Sequence, residues 1–190
     1  QSMIAQVEVF AGHAYYIVVD GYGSDCGDYV LDVHAVEPCD VVCPPGAQLE
    51  GEPPCVDNYY DAYNAGCGGV GWVPVDPQVG SSATVCGRSC TFDYQGLSYR
   101  DTDWYWANAA GGPLVMRGTA EFPVQLILLY GTNCANMQYV LSVGPPCETV
   151  EVSWNCAAGQ LVWLWVGPSV FNGIPESDYV LEISGLGPLL

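Results

Sequence analysis

The sequence predicts an all-β fold: a jelly-roll-like antiparallel β-sandwich with an additional N-terminal half-sandwich. Runs of β-branched and aromatic residues, bounded by turn residues, recur roughly every 8–12 residues. No window of the 190 residues shows a sustained helical stripe, and Pro or Gly interrupts nearly every stretch. One ordered set of segments also occurs twice, as expected of a repeated strand unit.

Each copy of this repeat has an Ala-Gly turn, an apolar strand, a Gly-rich loop and a strand that begins Asp-Tyr-Val-Leu. The copies occupy residues 11–33 and 158–183, and a further strand precedes each of them. A shorter Tyr-Val-Leu run at 139–143 is explained by the pattern of a half-buried strand alone. In chain order, we predict strands at 5–9, 14–19, 29–33, 90–94, 103–108, 114–120, 124–130, 139–143, 149–154, 161–166 and 179–183.

Two motifs carry a family resemblance. Residues 11–33 contain Ala-Gly-x-x-Tyr-Tyr-Ile-Val-Val-Asp-Gly-Tyr and Gly-Asp-Tyr-Val-Leu-Asp-Val, and residues 100–105 read Arg-Asp-Thr-Asp-Trp-Tyr. Both resemble bacterial pre-peptidase C-terminal domains. The resemblance implies a small secreted jelly-roll sandwich, often found beside extracellular hydrolases, and it implies no catalytic residue. The many cysteines and an acidic insert at 37–85 depart from the family pattern.

The resemblance and the repeat together predict three parts. Residues 1–36 match only the C-terminal half of a sandwich, residues 37–85 form a Cys/Pro/Gly-rich acidic linker, and residues 86–190 form a complete sandwich. Three strands cannot bury both faces alone, and open sheet edges favour pairing. The half-sandwich could pack on the second sandwich, receive strands from a neighbouring subunit, or have been completed by a longer precursor. We expect Gln1 to be a mature or processed start.

The charge excludes several functions. The chain has 21 acidic residues against three arginines and no lysine, for a formal net charge of −18. Nucleic-acid binding and attachment to an anionic membrane both need a basic face, and three arginines cannot form one. Schiff-base chemistry and a Walker-type phosphate site both need lysine. No segment has the roughly 20 apolar residues of a membrane helix, so no membrane span is expected.

The ten cysteines predict disulfides and an extracellular or cell-surface location. A zinc site would favour Cys-x-x-Cys pairs or paired histidines, and neither occurs. Disulfides persist in oxidising compartments, which favours a secreted protein. The pairing cannot be read from the spacing.

The acidic linker is the candidate metal site. Calcium prefers carboxylate and carbonyl oxygens supplied by loops. A possible calcium site is therefore predicted, although a solvated acidic loop would have the same composition. The candidate ligands are Glu50, Glu52, Asp57, Asp61 and Asn64.

The sequence offers little to a catalyst. His13 and His34 have no Gly-x-Ser-x-Gly motif nearby, and Asp101 and Asp103 flank Arg100 at a strand start, where capping the turn explains them. Six tryptophans suggest polysaccharide binding, but pairs such as 163 and 165 are expected to form half of a sandwich core.

We therefore predict a non-catalytic extracellular structural protein that assembles a filament-like polymer by strand complementation between subunits. The alternative is a substrate- or carbohydrate-binding accessory module processed from a larger secreted hydrolase.

Overall fold

The protein is described by a computed structural model that divides it into two compact units, Gln1–Glu37 and Pro38–Leu190. It describes residues 9, 12–19, 27–33, 39–58, 63–68, 73–76, 82–131 and 133–189. The prediction of an all-β sandwich is confirmed, because these residues form twelve strands and, apart from one 3-10 turn at Gly66–Gly68, no helix. No helix in the described ranges is long and apolar enough to cross a membrane.

The strand bounds agree with the sequence periodicity in the C-terminal unit. Two predicted strands, 103–108 and 124–130, match residue for residue. In chain order, the strands are β1 (Gln48–Leu49), β2 (Val73–Pro74), β3 (Ser82–Ser89), β4 (Thr91–Tyr94), β5 (Leu97–Arg100), β6 (Asp103–Asn108), β7 (Gly112–Ala120), β8 (Val124–Tyr130), β9 (Gln138–Gly144), β10 (Val150–Cys156), β11 (Leu161–Pro168) and β12 (Ser177–Ser184).

These strands form two five-stranded sheets and a small hairpin. Sheet A has the order β1-β3-β12-β7-β10, and sheet B has the order β2-β6-β11-β8-β9. The four longer strands of each sheet are antiparallel, as predicted. The two-residue strands β1 and β2 add to β3 and β6 in parallel, so both sheets are mixed.

The main core lies between the inward faces of the two sheets. Alternate residues along each strand point inward, as the two-residue period of a strand requires. Sheet B contributes Tyr105, Leu128 and Leu164, and sheet A contributes Met116 and Leu181, all essentially inaccessible to solvent.

The tryptophans of β6 and β11 do not face this core, which corrects the sequence expectation, whereas Trp154 of β10 packs against it. Trp104 pairs with Trp165 and Trp106 with Trp163 across β6 and β11, on the outer face of sheet B. Trp104 and Trp165 are nevertheless buried in a second cluster with Leu129. They were misassigned because alternation shows which residues share a face but not which face is inside.

Four disulfides join the segment at 39–67 to the sandwich strands and loops, which confirms the prediction of a disulfide-rich chain. The pairs are Cys39–Cys147, Cys43–Cys86, Cys55–Cys90 and Cys67–Cys134. Cys156 is a buried free thiol, and Cys26 lies outside the described residues. The expectation that residues 37–85 form no strands is wrong, because β1, β2 and the start of β3 lie there.

The N-terminal unit differs from its prediction. Residues 12–19 and 27–33 form no strand, so the predicted strands at 14–19 and 29–33 are not formed, and 5–9 lies almost wholly outside the described residues. Strand propensity expresses how well side chains fit a half-buried pleated surface. Tyr16 is 92% exposed and Val30 97% exposed, so these side chains do not lie on a half-buried surface.

Candidate metal centre

Three carboxylates meet between the two sheets. Glu50 follows β1 in sheet A, Asp103 begins β6 in sheet B, and Glu52 lies two residues beyond Glu50. One oxygen from each lies within 4.8 Å of those of the other two. Glu50 and Asp103 are buried, and Glu52 is partly buried.

This separation suits a hard cation. Calcium binds oxygen ligands at about 2.3–2.6 Å, so two oxygens on opposite sides of one ion lie about 4.8 Å apart. The three oxygens could therefore contact a single calcium ion. Carboxylates without histidine or cysteine favour calcium or magnesium over transition metals.

Backbone contacts fix Glu50 in place. Its own N–H donates to the Cys86 carbonyl at 2.9 Å, which continues the β1–β3 pairing past Leu49. The Arg88 N–H donates to Glu50 Oε2 at 2.9 Å. The Cys43–Cys86 disulfide ties the preceding segment to the same strand. The carboxylate is thus anchored to the rigid strand β3 rather than carried on a free loop.

Two buried tyrosines support the same carboxylate. The Tyr179 hydroxyl donates to Glu50 Oε2 at 3.1 Å, and the Tyr105 and Tyr179 hydroxyls are hydrogen-bonded at 2.5 Å. With Tyr179 donating to Glu50, Tyr105 donates to Tyr179. Gly87 makes room for this arrangement, because a Cβ there would overlap both the Glu50 carboxylate and the Tyr179 hydroxyl.

Burial and like charge raise the pKa values of the acidic groups. Desolvation is the largest cause of the rise in the pKa of Glu50 from 4.5 to about 8, and the nearby Glu52 charge adds to it. Desolvation also holds the pKa of Asp103 well above its usual range, followed by repulsion from Glu50, Asp101 and Glu52. Without a cation the site therefore retains protons near neutral pH, and a bound cation would replace them.

Asp103 is the least satisfied of the three carboxylates. Among the residues that the structure describes, none donates a hydrogen bond to either of its oxygens, and the residue is inaccessible to solvent. The Tyr179 hydroxyl is near enough to lower the Asp103 pKa slightly, but its hydrogen bond goes to Glu50. A buried, unpartnered carboxylate is costly unless a charge compensates it. Its position beside two other carboxylates indicates that the compensating group is a cation.

A surface pocket gives access to the site. The pocket has a volume of about 230 Å³, and Glu50 and Glu52 lie in its wall with Gly87, Arg88 and Asp178. A hydrated cation could reach Glu50 and Glu52 through it, whereas Asp103 lies behind them and is not part of the pocket wall.

The structure brings together only part of the ligand set predicted from sequence. Glu50 and Glu52 lie in the cluster. Asp57 does not, because its Oδ1 accepts a hydrogen bond from the Asp93 N–H at 3.1 Å in an exposed turn beside the β4–β5 hairpin. Asp61 lies outside the described residues.

Asn64, the remaining predicted ligand, lies next to the cluster in the fold. Its carbonyl accepts a hydrogen bond from the Trp104 N–H at 2.9 Å, which places it beside the start of β6. The side chain is fully buried, and neither amide atom has a hydrogen-bond partner in the described part of the chain.

Sequence reasoning did not identify Asp103 as a candidate ligand. It was interpreted as a turn-capping residue beside Arg100, but Arg100 donates instead to the Gln125 side chain and the Pro168 carbonyl. One feature of the sequence could have identified it: Asp103 is an acidic residue directly before the apolar run Trp-Tyr-Trp-Ala. Such a position becomes buried when the sheets pack.

Comparison with known protein families and with curated proteins finds no match to this chain, so the site is interpreted from its own geometry.

Proposed function

We propose that this chain is a non-catalytic extracellular structural protein whose sandwich is braced by calcium at Glu50, Glu52 and Asp103. The observation that carries the proposal is the buried Asp103 carboxylate, which has no hydrogen-bond partner among the described residues and faces two other carboxylates. A cation there would link sheet A to sheet B. Four disulfides favour an oxidising, extracellular setting for such a module.

Calcium-dependent stability tests this brace. The melting temperature is measured in chelator, calcium and magnesium for the wild-type chain, Asp103→Asn and Asp57→Asn. Asp57→Asn is the matched control, because it makes the same chemical change at an acidic residue outside the cluster. Calcium should raise the melting temperature of the wild type and the control, and leave that of Asp103→Asn unchanged. An equal response of all three to calcium, or no response in the wild type, would contradict the brace.

We further propose that the structural role is self-association by strand complementation. The supporting observation is that residues 12–19 and 27–33 carry exposed apolar side chains and form no strand. Exposed apolar segments of high strand propensity favour pairing with another chain. Sedimentation of the full chain over a range of concentrations tests this role: association into oligomers or polymers supports it, and a monomer at every concentration contradicts it.

One observation favours the accessory-module alternative. A row of three aromatic residues and one leucine crosses the outer face of sheet B in register: Trp106, Trp163, Leu129 and Tyr139. The aromatic side chains of such a row can stack on sugar rings. Binding to immobilised polysaccharides that is lost in Trp163→Ala would promote this function.

A further inference from the structure

Strand β9 is an open edge of the sandwich. It ends sheet B, and within the described residues only β8 pairs with it. Its seven residues, Gln138–Gly144, are long enough to accept another strand, and its outer backbone groups are available to do so.

The outward side chains of β9 are apolar. Tyr139, Leu141 and Val143 alternate along the strand and are all exposed. They lie on the same face as Leu129 and Ile127 of β8, to which Tyr139 and Leu141 are directly opposite. The apolar surface of the outer face therefore continues to the open edge.

The other sheet edges are unsuited to strand addition. Strands β1 and β2 are two residues long, and the hairpin strands β4 and β5 are four residues long. Strand β10 presents Glu151, Ser153 and Asn155 outward, and Glu151 pairs with Arg117 at 2.6 Å. Charged and polar side chains protect an edge against pairing. Among the edges that the structure describes, β9 alone is both long and apolar.

The N-terminal unit supplies a segment that fits this edge. Residues 14–19 are uncharged, and so is the whole stretch 122–147 that contains β9. Pairing these two segments brings no like charges together, although the chain carries a net charge of −18. Tyr16 and Val18 are 92% and 86% exposed, so these two apolar side chains can contact another strand. The run 29–33 fits less well, because Asp32 lies within it.

We propose that residues 14–19 of one copy add as a strand to the β9 edge of a second copy and cover Tyr139, Leu141 and Val143. This inference rests on the proposed self-association and names its acceptor and donor. Because donor and acceptor are different surfaces, each copy can give one strand and receive one, so the contact propagates into a ring or a fibre.

Photo-crosslinking of the full chain tests the pairing. Tyr139 is replaced by p-benzoylphenylalanine, and copies grown in ¹⁴N and ¹⁵N are mixed before irradiation. Tyr99, an exposed tyrosine on the β4–β5 hairpin, receives the same replacement as a matched control. We expect mixed-isotope crosslinks from position 139 to the peptide that contains residues 14–19, and none to this peptide from position 99.

Other crosslinking results overturn the inference in distinguishable ways. If every crosslink joined peptides of the same isotope, residues 14–19 would pair with β9 of their own chain. Mixed-isotope crosslinks to other segments would leave self-association standing and remove β9 as the acceptor. Absence of crosslinks in a chain that sediments as a monomer would defeat both proposals.

A substitution gives an independent measure. Leu141→Lys places a charge on the edge and should weaken self-association roughly tenfold or more, the equivalent of losing one buried leucine side chain. Leu97→Lys makes the same change at an exposed leucine of β5 and should leave association unchanged. Equal association of both variants and the wild type would overturn the assignment to β9.

Discussion

Raising the pH in the absence of divalent cations should destabilise this protein. The folded-state pKa of Glu50 is about 8, against 4.5 for the ordinary group. Between these two values the folded chain therefore holds a proton that the unfolded chain has released. The free energy of unfolding is then greatest below about pH 4.5 and falls as the pH rises through 8. Asp103, whose pKa is raised for the same reason, changes stability in the same direction.

The size of this loss follows from the two pKa values. Their difference corresponds to roughly 5 kcal/mol at about 1.4 kcal/mol per pH unit. Roughly 3–4 kcal/mol of it falls between pH 5 and pH 8. A loss of this size is a large fraction of the stability of an ordinary domain.

Guanidinium denaturation followed by tryptophan fluorescence measures the effect. The free energy of unfolding is obtained at pH 5, 6, 7 and 8 with chelator present, for the wild type and Glu50→Gln. The wild type should lose stability across the series, and the variant, which cannot ionise at this position, should lose less. Calcium should restore the wild type at pH 8, by about 2.7 kcal/mol at a hundredfold excess over its Kd. Constant or rising stability of the wild type from pH 5 to 8 in chelator would refute the reasoning.

Three further variants have defined outcomes. Gly87→Ala should lower the free energy of unfolding by roughly 1–3 kcal/mol and weaken calcium binding, because its Cβ would overlap the Glu50 carboxylate and the Tyr179 hydroxyl. Guanidinium denaturation measures the change in stability, and calorimetry measures the change in calcium binding. Tyr179→Phe removes a donor to Glu50, so it should raise the Glu50 pKa further and cost roughly 1–2 kcal/mol, observable by NMR titration and denaturation. The double change Cys39→Ala and Cys147→Ala should cost roughly 3–5 kcal/mol by denaturation, because that disulfide closes a loop across 108 residues.

The first two of these variants have matched controls. Gly27→Ala adds a methyl group where nothing lies within 4 Å, so it should not change stability or calcium binding. Tyr99→Phe removes an exposed hydroxyl and should leave the Glu50 titration as it is. Wild-type calcium binding in Gly87→Ala, or an unchanged Glu50 pKa in Tyr179→Phe, would contradict the described site. Wild-type stability of the double cysteine variant would contradict the assigned role of that disulfide.

The sequence predicted most of the sandwich because its strands are encoded locally. Strands β6 and β8 were predicted residue for residue, since each is an aromatic or apolar run bounded by turn residues. The runs at 14–19 and 29–33 have the same composition, but no strand forms there. A strand needs a partner for its backbone and cover for one face, and composition cannot supply either.

The metal centre was predicted only in part, because it depends on contacts between distant segments. Glu50 and Glu52 were recognisable as clustered acids near one another in sequence. Asp103 joins them only because β1 and β6 belong to opposing sheets whose packing brings their ends together. Asp57 shares the acidic composition of the segment, but its carboxylate is used in a turn. The sequence of an acidic segment shows its charge, whereas the fold decides which of its acids are buried.

Terbium luminescence tests the calcium brace most directly. Terbium substitutes for calcium at oxygen sites and emits when nearby tyrosines are excited, and the Tyr179 hydroxyl is hydrogen-bonded to Glu50. We expect saturable sensitised emission from one terbium ion per chain, displaced by calcium, absent in Asp103→Asn and retained in Asp57→Asn. Emission of equal strength in Asp103→Asn and the wild type, or emission that calcium does not displace, would contradict the claim that these three carboxylates hold a calcium ion between the sheets.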